Sequence, residues 1–376
     1  MISRVLLVVG LAVLMIVSSV GSYMYLGSRQ SNLTALPKLP TAASPSAGTF
    51  NLTGTLFLAQ AGAIYSLSAG RFHQLTPADG WTQLAPYTSG NLLAVKRTTL
   101  FSDVYVMSRL GRVLKRLTNN TGPAGNYDPS IRHWSFYPRL SLNLKTLFMS
   151  YDKPKFGYDV PMSIWAVPIG KTITQGRLWT ISMDYTGGDM QPLPLASGAL
   201  IYTKYLYGPD LKLVSQLWLT TAPGAAGKPL TQPGEDCSQA SLSPNGHTMA
   251  MICTHETQES YLALASWNGH TLGPRRNLVT KQLVAQPTWA PDSSGIAYLA
   301  PAVAGKGFQL WWLPSAAYAP PRPSPVPTPI PTPGGPVTSP VPTPTRSPLP
   351  TPIVIKPIQI TTDLGFDATS PMAWIE

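Results

Sequence analysis

The sequence is poor in the side chains from which enzymes and metal sites are built. Charged residues make up 11% of the 376 residues, whereas an ordinary soluble domain has about 25%. There are 2 Cys and 5 His, which excludes a disulfide-dense scaffold and a zinc ribbon with a full set of Cys ligands. A hydrophobic content of 44% excludes a wholly disordered chain. The composition therefore favours a binding protein.

The motifs of common catalytic sites are also missing. The sequence has no Gly-x-Ser-x-Gly elbow and no glycine loop that ends in Lys-Ser or Lys-Thr. Residues 255–259 begin like a zinc-binding helix, but Glu259 stands where the second His is needed. The carboxylates are too scattered to name a pair for glycoside hydrolysis. We predict no catalytic residue, no cofactor and no metal, and an enzyme that uses residues of a central channel is the least favoured alternative.

The net charge of +11 raises the question of an acidic partner. The densest basic group lies within residues 109–116 and lacks the stacking aromatics of a recognised nucleic-acid-binding pattern. We therefore predict no nucleic-acid partner and assign these residues to solvated outer strands. The alternative is weak attraction to anionic cell-wall polymers or lipid headgroups.

The N-terminal segment, residues 1–27, predicts export, with Arg4 ahead of an apolar run. As a signal peptide, it has its apolar region at residues 5–17 and a cleavage point near residues 20–22. As an uncleaved signal anchor, residues 5–26 provide a transmembrane helix of 22 residues, where a bilayer needs about 20. We favour the anchor, which leaves the C-terminal domain outside the cytoplasm, periplasmic or extracellular. Cleavage would instead make the protein a secreted one.

Two regions of different composition follow. Residues 28–53 are rich in Ser, Thr, Ala and Pro without an apolar period, which predicts a flexible stalk. In residues 54–318, short apolar runs alternate with Gly, Pro, Asn and Asp turns, and no stretch has a sustained helical period. This pattern predicts an all-β domain, either a sandwich or a propeller.

Internal repeats favour the propeller. One copy runs from Gln239 to Ile252 and another from Gln286 to Leu299, each with a short strand, a Pro-Asn or Pro-Asp turn and a strongly apolar strand. Looser copies begin at Gln83 and Gln191, and a fifth copy, residues 136–148, lacks the glycine. The copies lie about 45–55 residues apart, the length of one propeller blade with four strands.

These copies resemble the TolB-type propeller repeat, in which a Leu-Thr ending precedes a Trp-Ser-Pro-Asp-Gly hairpin and an apolar strand. The resemblance covers residues 54–376 and is strongest at residues 242–246 and 289–292. It implies a TolB-like β-propeller and says little about a ligand. The repeat-turn residues to which it gives a structural role are Pro244, Asn245, Gly246, Trp289, Pro291, Asp292, Pro371 and Trp374.

The chain ends predict a closed ring. Residues 364–375 look like a repeat that stops after its first strand, and residues 54–76 look like a repeat that lacks it. Joined, they complete one blade and remove exposed sheet edges. With further units starting near residues 81, 134, 190, 237 and 284, we predict about six blades, with seven as the alternative. Residues 354–376 supply the last strands.

Residues 319–353 are a Pro-rich insert, with 15 prolines among residues 320–352. Proline cannot donate ladder hydrogen bonds and favours an extended polyproline II conformation. Because the following residues are assigned to the propeller, both ends of the insert must return to the same blade. We favour a loop tolerated between two strands over a projecting arm that reaches a partner.

The two cysteines flank one predicted hairpin. If that hairpin is centred on Asn245, Cys237 and Cys253 face each other, near enough for a disulfide. Export is compatible with this bond. The alternative is that the strand register differs by one residue, so that the two cysteines do not face each other and stay free.

The sequence thus predicts a membrane-tethered, non-catalytic module of the cell envelope that binds another envelope protein at the mouth of the propeller ring. The alternative is a surface receptor or sensor for a carbohydrate or cell-wall polymer. An apolar rim on one face would favour the protein partner. Aromatic and carboxylate side chains that converge in the channel would favour the glycan or an enzyme.

Overall fold

The computed structural model describes residues 52–126, 128–155, 161–182, 185–208, 210–254, 260–280, 282–318 and 356–376. The predicted N-terminal helix, almost all of the stalk and the Pro-rich insert lie outside these residues. Among the described residues, no helix has the length and apolar character that crossing a membrane requires.

The described strands form six antiparallel sheets with four strands each, which we number as blades I to VI. Three strands of blade I come from the start of the domain, namely β1 (Thr55–Gln60), β2 (Ala63–Ser68) and β3 (Arg71–Gln74). Blade II consists of β4 (Trp81–Pro86), β5 (Leu92–Arg97), β6 (Ser102–Met107) and β7 (Val113–Arg116). Blade III consists of β8 (Ser135–Leu140), β9 (Thr146–Tyr151), β10 (Ser163–Pro168) and β11 (Arg177–Leu178).

The second half of the ring repeats this arrangement. Blade IV consists of β12 (Asp189–Pro194), β13 (Leu200–Tyr207), β14 (Leu213–Thr220) and β15 (Lys228–Pro229). Blade V consists of β16 (Cys237–Leu242), β17 (Thr248–Thr254), β18 (Ser260–Trp267) and β19 (Leu272–Val279). Blade VI consists of β20 (Ala285–Trp289), β21 (Gly295–Pro301), β22 (Phe308–Pro314) and β23 (Ile358–Gln359). Short 3₁₀ turns occupy Thr88–Gly90, Pro129–Ile131, Ile173–Gln175 and Ser315–Ala317.

The last strand, β24 (Ala373–Ile375), completes blade I and closes the ring. It pairs with β1, so that Trp374 lies opposite Leu56 and Ala373 opposite Phe57. This result confirms the prediction of six blades and of a blade shared by both chain ends. The segment after the insert divides between two blades, because β23 pairs with β22 while only β24 closes the ring.

The first strand of each blade is the innermost one. The strands β24, β4, β8, β12, β16 and β20 contact one another in that order around the centre. The turns that join the first and second strands therefore lie on one face, which we call the turn face. The turns between the second and third strands lie on the opposite face. The hydrophobic core fills the spaces between blades, as where Leu56 and Leu58 pack with Leu299 and Trp312.

The inner hairpin turns keep one conformation although their sequences differ. In blade V, Gly246 has φ 75° and its N–H donates to the carbonyl of Ser243 at 2.8 Å. In blade VI the corresponding residue is Ser293, with φ 60°. In blade III it is Leu144, also with φ 60°, and its N–H donates to the carbonyl of Ser141 at 2.8 Å. The copy without glycine thus holds a leucine in the left-handed conformation.

The hairpin of blade V also brings the two cysteines together. Cys237 lies opposite Cys253, and a disulfide joins them. The numbers of paired residues sum to 490 at this end of the hairpin and to 491 beside the turn, where Leu242 lies opposite Met249. A bulge between Ser238 and Ser241 accounts for the change of register.

Removal of residues 365–376 is expected to abolish cooperative unfolding. The deletion takes away β24, exposes the edge of β1 and removes the buried side chains of Met372 and Trp374. The single substitution Trp374→Ala is expected to cost about 3–5 kcal/mol, the usual loss for a large buried aromatic. Thermal and urea unfolding followed by circular dichroism measure both effects. An unchanged melting temperature of the truncated chain would contradict closure by β24.

Candidate functional site: the channel mouth on the turn face

A cavity lined by residues of several blades opens on the turn face. Its volume is about 450 Å³, and its walls come from the inner strands of the blades and the turns that follow them. Residues far apart in sequence, such as Arg139, Gln239 and Met372, meet in this cavity. It is therefore the mouth of the central channel.

Each inner strand of blades II to VI carries one bulge residue, and those of blades IV, V and VI line the floor of the cavity. In blades II to VI this residue has φ between 52° and 57° and sits in a β-bulge that shifts the strand register by one. The bulge residues are Gln83, Tyr137, Gln191, Gln239 and Gln286. A bulge leaves one main-chain N–H without a ladder partner, and in blades II, III, V and VI the neighbouring blade supplies that partner.

Hydrogen bonds through these residues run around the whole ring. The N–H of Tyr137 donates to Oε1 of Gln83 at 2.9 Å, and the N–H of Gln239 donates to Oε1 of Gln191 at 3.0 Å. The N–H of Gln286 donates to Oε1 of Gln239 at 2.6 Å.

Three further contacts complete the circle. The N–H of Gln83 donates to Oγ of Ser370 at 2.6 Å, and Nε2 of Gln286 donates to the carbonyl of Ala368 at 2.8 Å. The Tyr137 hydroxyl hydrogen-bonds to the Gln191 side chain, and burial raises the pKa of that hydroxyl above its usual range. We call the five bulge residues, joined in this way, the glutamine ring: Gln83, Tyr137, Gln191, Gln239 and Gln286.

The rim of the cavity is apolar. Leu142 and Leu144, in the turn between β8 and β9, are 64% and 53% exposed. Proline and leucine residues continue the apolar wall around the other blades, namely Pro86, Leu140, Leu193, Pro194, Leu242 and Pro287. Among the described residues that line the cavity there is no Asp or Glu.

Five of the predicted repeat-turn residues lie in this wall: Pro244, Trp289, Pro291, Pro371 and Trp374. The two tryptophans are nearly buried, and each indole N–H is already used by the fold. That of Trp289 donates to the carbonyl of Ser241 at 3.0 Å, and that of Trp374 donates to the carbonyl of Thr53 at 2.8 Å. These rings therefore support the wall.

The remaining predicted residues lie in the hairpin turns or between strands. Asn245 accepts the N–H of His247, and Asp292 accepts the N–H of Ser294. The hydrogen bonds from Ser294 hold the pKa of Asp292 below its usual value. Gly246 provides the left-handed turn residue described above. Cys237 and Cys253 are buried within blade V, away from the cavity wall.

The described part of the chain contains no group of three or more His, Cys, Asp or Glu placed to hold a metal ion. The zinc-like segment 255–259 lies outside the described residues. The site therefore offers amides, hydroxyls, apolar surface and one guanidinium, which suit non-covalent binding.

Comparison with solved structures identifies the architecture. TolB from Acinetobacter baumannii superposes with a TM-score of 0.52 at 14% identity, over 70% of this chain and 62% of that chain. The fold is that of a TolB-like propeller. This chain thus spans less than two thirds of the Acinetobacter protein's length. No protein-family model matches the sequence, and no curated protein is similar to it.

A TolB-like propeller is not tied to one function. The hydrazine synthase of Kuenenia stuttgartiensis superposes with a TM-score of 0.51 at 11% identity, over 70% of this chain and 44% of that chain. At such identities the likeness concerns the fold, and one fold hosts unrelated functions. Function must therefore be argued from the cavity itself.

Sequence reasoning missed the glutamine ring, Arg139 and the exposed leucines of blade III. A signal for the ring was present, since Gln stands at the head of four repeat copies, at positions 83, 191, 239 and 286. No comparable signal marked Arg139 or Leu144, which have no counterpart of the same type in the other repeats.

Loss of one ring glutamine is expected to destabilise the propeller. Gln239→Ala removes the acceptor of the Gln286 N–H and should cost about 1–3 kcal/mol, the penalty for an unsatisfied buried donor. Gln232→Ala, which truncates an exposed glutamine in a turn, serves as the matched control and should change little. Urea unfolding monitored by tryptophan fluorescence measures the difference. Equal stability of the two variants would contradict the role of the ring.

Proposed function

We propose that this protein is a non-catalytic binding module that holds a protein partner on its turn face, over the mouth of the channel. The proposal includes an envelope location, with the N-terminal segment as membrane anchor and the propeller outside the cytoplasm. A receptor for a glycan is the second candidate, and an enzyme is the least favoured.

The observation that carries the proposal is the conformation and exposure of Leu144. A leucine in the left-handed region costs about 1–2 kcal/mol relative to the right-handed one. Blades V and VI place Gly246 and Ser293 at this turn position. Leu144 is nevertheless more than half exposed, so burial in the propeller does not compensate the strain. The turn needs a left-handed residue but not a leucine, and strain kept beside a cavity is a feature of functional sites.

The chemistry of the cavity mouth supports a protein partner over a glycan. Leu142 and Leu144 form an exposed apolar rim, which is the kind of surface that a protein interface buries. A glycan site would need exposed aromatic faces besides its polar groups. The tryptophans of the wall, Trp289 and Trp374, are nearly buried and their N–H groups are engaged. The absence of carboxylates from the described lining also disfavours hydrolysis by a paired-carboxylate mechanism.

The envelope location is supported by two features of the chain. The apolar run at residues 5–26 is long enough for an anchor. The disulfide between Cys237 and Cys253 suits an oxidising compartment.

The opposite face carries a second apolar group, which provides a control. Leu211 lies in the turn between β13 and β14, is 81% exposed and has φ 57°. It therefore resembles Leu144 in residue type and backbone conformation and is likewise exposed, but it does not line the channel-mouth cavity. The two leucines allow the faces to be compared by the same substitution.

Leu144→Gly is expected to stabilise the fold and to weaken partner binding. Relief of the left-handed strain should raise the unfolding free energy by about 0.5–1 kcal/mol after the entropy cost of glycine. Leu211→Gly should be stabilising to a similar degree but leave binding unchanged. Urea unfolding measures the first effect, and co-purification of the tagged full chain with envelope proteins measures the second.

Photo-crosslinking separates the candidate functions. A photoreactive amino acid at position 144 of the full chain is expected to give a protein adduct in cells, whereas the same group at position 211 is not. If the adduct resists proteases and is removed by glycosidases, the partner is a glycan and not a protein. Adducts from position 211 alone would place the interface on the opposite face and overturn the proposal.

A further inference from the structure

One charged side chain lies in the wall of the cavity. Arg139 follows the bulge residue of β8 by two positions, and its guanidinium Nη1 donates to the carbonyl of Leu84 on the neighbouring inner strand at 3.3 Å. Of the described residues that line the cavity, it is the only one with a charge. The channel mouth therefore carries one positive charge just above the glutamine ring.

Arg139 has no counter-ion among the described residues. Each described ion pair involves another cation, and no Asp or Glu is among the described residues that line the cavity. Burial lowers the pKa of its guanidinium to about 10, so the group stays charged at neutral pH. The Arg139 side chain is half-buried and faces the cavity, where an anion can reach it. A guanidinium presents several N–H donors in one plane, and a single carbonyl satisfies one of them.

The residues around Arg139 determine which ligand could accept its free N–H groups. The residues at the same height on the other inner strands include Leu193 and Met372, which are apolar, and Ser241 and Thr288, which carry hydroxyls. Thr288 belongs to blade VI, which lies across the ring from blade III. The ring amides of Gln191 and Gln239 are already engaged as acceptors. The cavity thus offers one anion partner, hydroxyls opposite it and apolar walls.

We propose that the channel mouth binds an organic carboxylate whose charged group pairs with Arg139 and whose apolar chain contacts the leucine and proline walls. A carboxylate accepts two parallel hydrogen bonds from a guanidinium. A volume of about 450 Å³ holds a ligand of this size, since small-molecule sites commonly measure about 300–1,000 Å³. The site does not depend on the protein partner proposed above, because its charge lies in the wall and not on the rim.

The test uses octanoate as the probe and octanol as its uncharged counterpart. Isothermal titration calorimetry of the full chain should detect octanoate binding, and octanol should bind at least about tenfold more weakly. Arg139→Gln should weaken octanoate binding by at least about tenfold, because a hydrogen bond to a charged group contributes more than a neutral one. Arg112→Gln, which removes an exposed arginine of the turn between β6 and β7, is the matched control and should bind like the wild type.

A second readout guards against variants that fold poorly. Octanoate should raise the melting temperature of the wild type in a concentration-dependent way, whereas octanol should not. Arg139→Lys, which keeps the charge but loses the planar fork, should retain part of the shift. Equal binding of octanol and octanoate, unchanged binding by Arg139→Gln, or no octanoate binding at millimolar concentration would each overturn the proposal.

A peptide probe in the same calorimetric experiment distinguishes a protein C-terminus from a small organic acid as the ligand. Acetyl-trileucine with a free C-terminal carboxylate is compared with its C-terminal amide. If the peptide acid binds more tightly than octanoate and the amide does not bind, a protein C-terminus is the ligand. If octanoate binds more tightly, the ligand is a small organic acid. Both outcomes support the carboxylate site, and crosslinking from position 144 tests the protein partner separately.

Discussion

In blades II, III, V and VI, the main-chain N–H group at the inner-strand bulge has its hydrogen-bond partner outside its own blade. The bulge residues adopt a left-handed conformation, and the neighbouring blade offers a side-chain acceptor. At the junction of blades I and II that acceptor is Ser370, which reaches its place only when the C-terminal segment has returned to the start of the domain. Closure of the ring and satisfaction of these donors are therefore one event. Three of these bulge residues, Gln191, Gln239 and Gln286, also line the cavity.

Much of this architecture could be predicted from the sequence because it repeats. Periodic turn residues and apolar strands gave the blade count, the blade boundaries within one residue of β4, β8, β12, β16 and β20, and closure by the chain ends. The prediction that Cys237 and Cys253 face each other assumed a regular hairpin without a bulge. Beside the turn the register differs by one residue, and the bulge near Gln239 restores the expected pairing at the cysteines.

The site was less predictable because its residues come from different blades and do not share a type. Arg139, Ser241 and Thr288 occupy one height in the channel, but a single sequence gives no reason to group them. The repeat that contains Leu144 lacks the turn glycine in its sequence. Only the backbone shows that the turn conformation is kept and that Leu144 is strained in it. The glutamines were visible at the heads of the repeats. Their role depends on a bulge that apolar periodicity does not reveal.

The turn face thus combines a strained apolar rim with a positive charge at mid-depth and a polar floor. The central claim is that this face, and not the opposite one, is the binding surface. Hydrogen–deuterium exchange of the full chain, with and without the protein that co-purifies with it, tests this claim most directly. The account predicts slowed exchange in peptides that cover residues 140–146 and unchanged exchange in those that cover residues 205–213. Protection confined to the second set would contradict it.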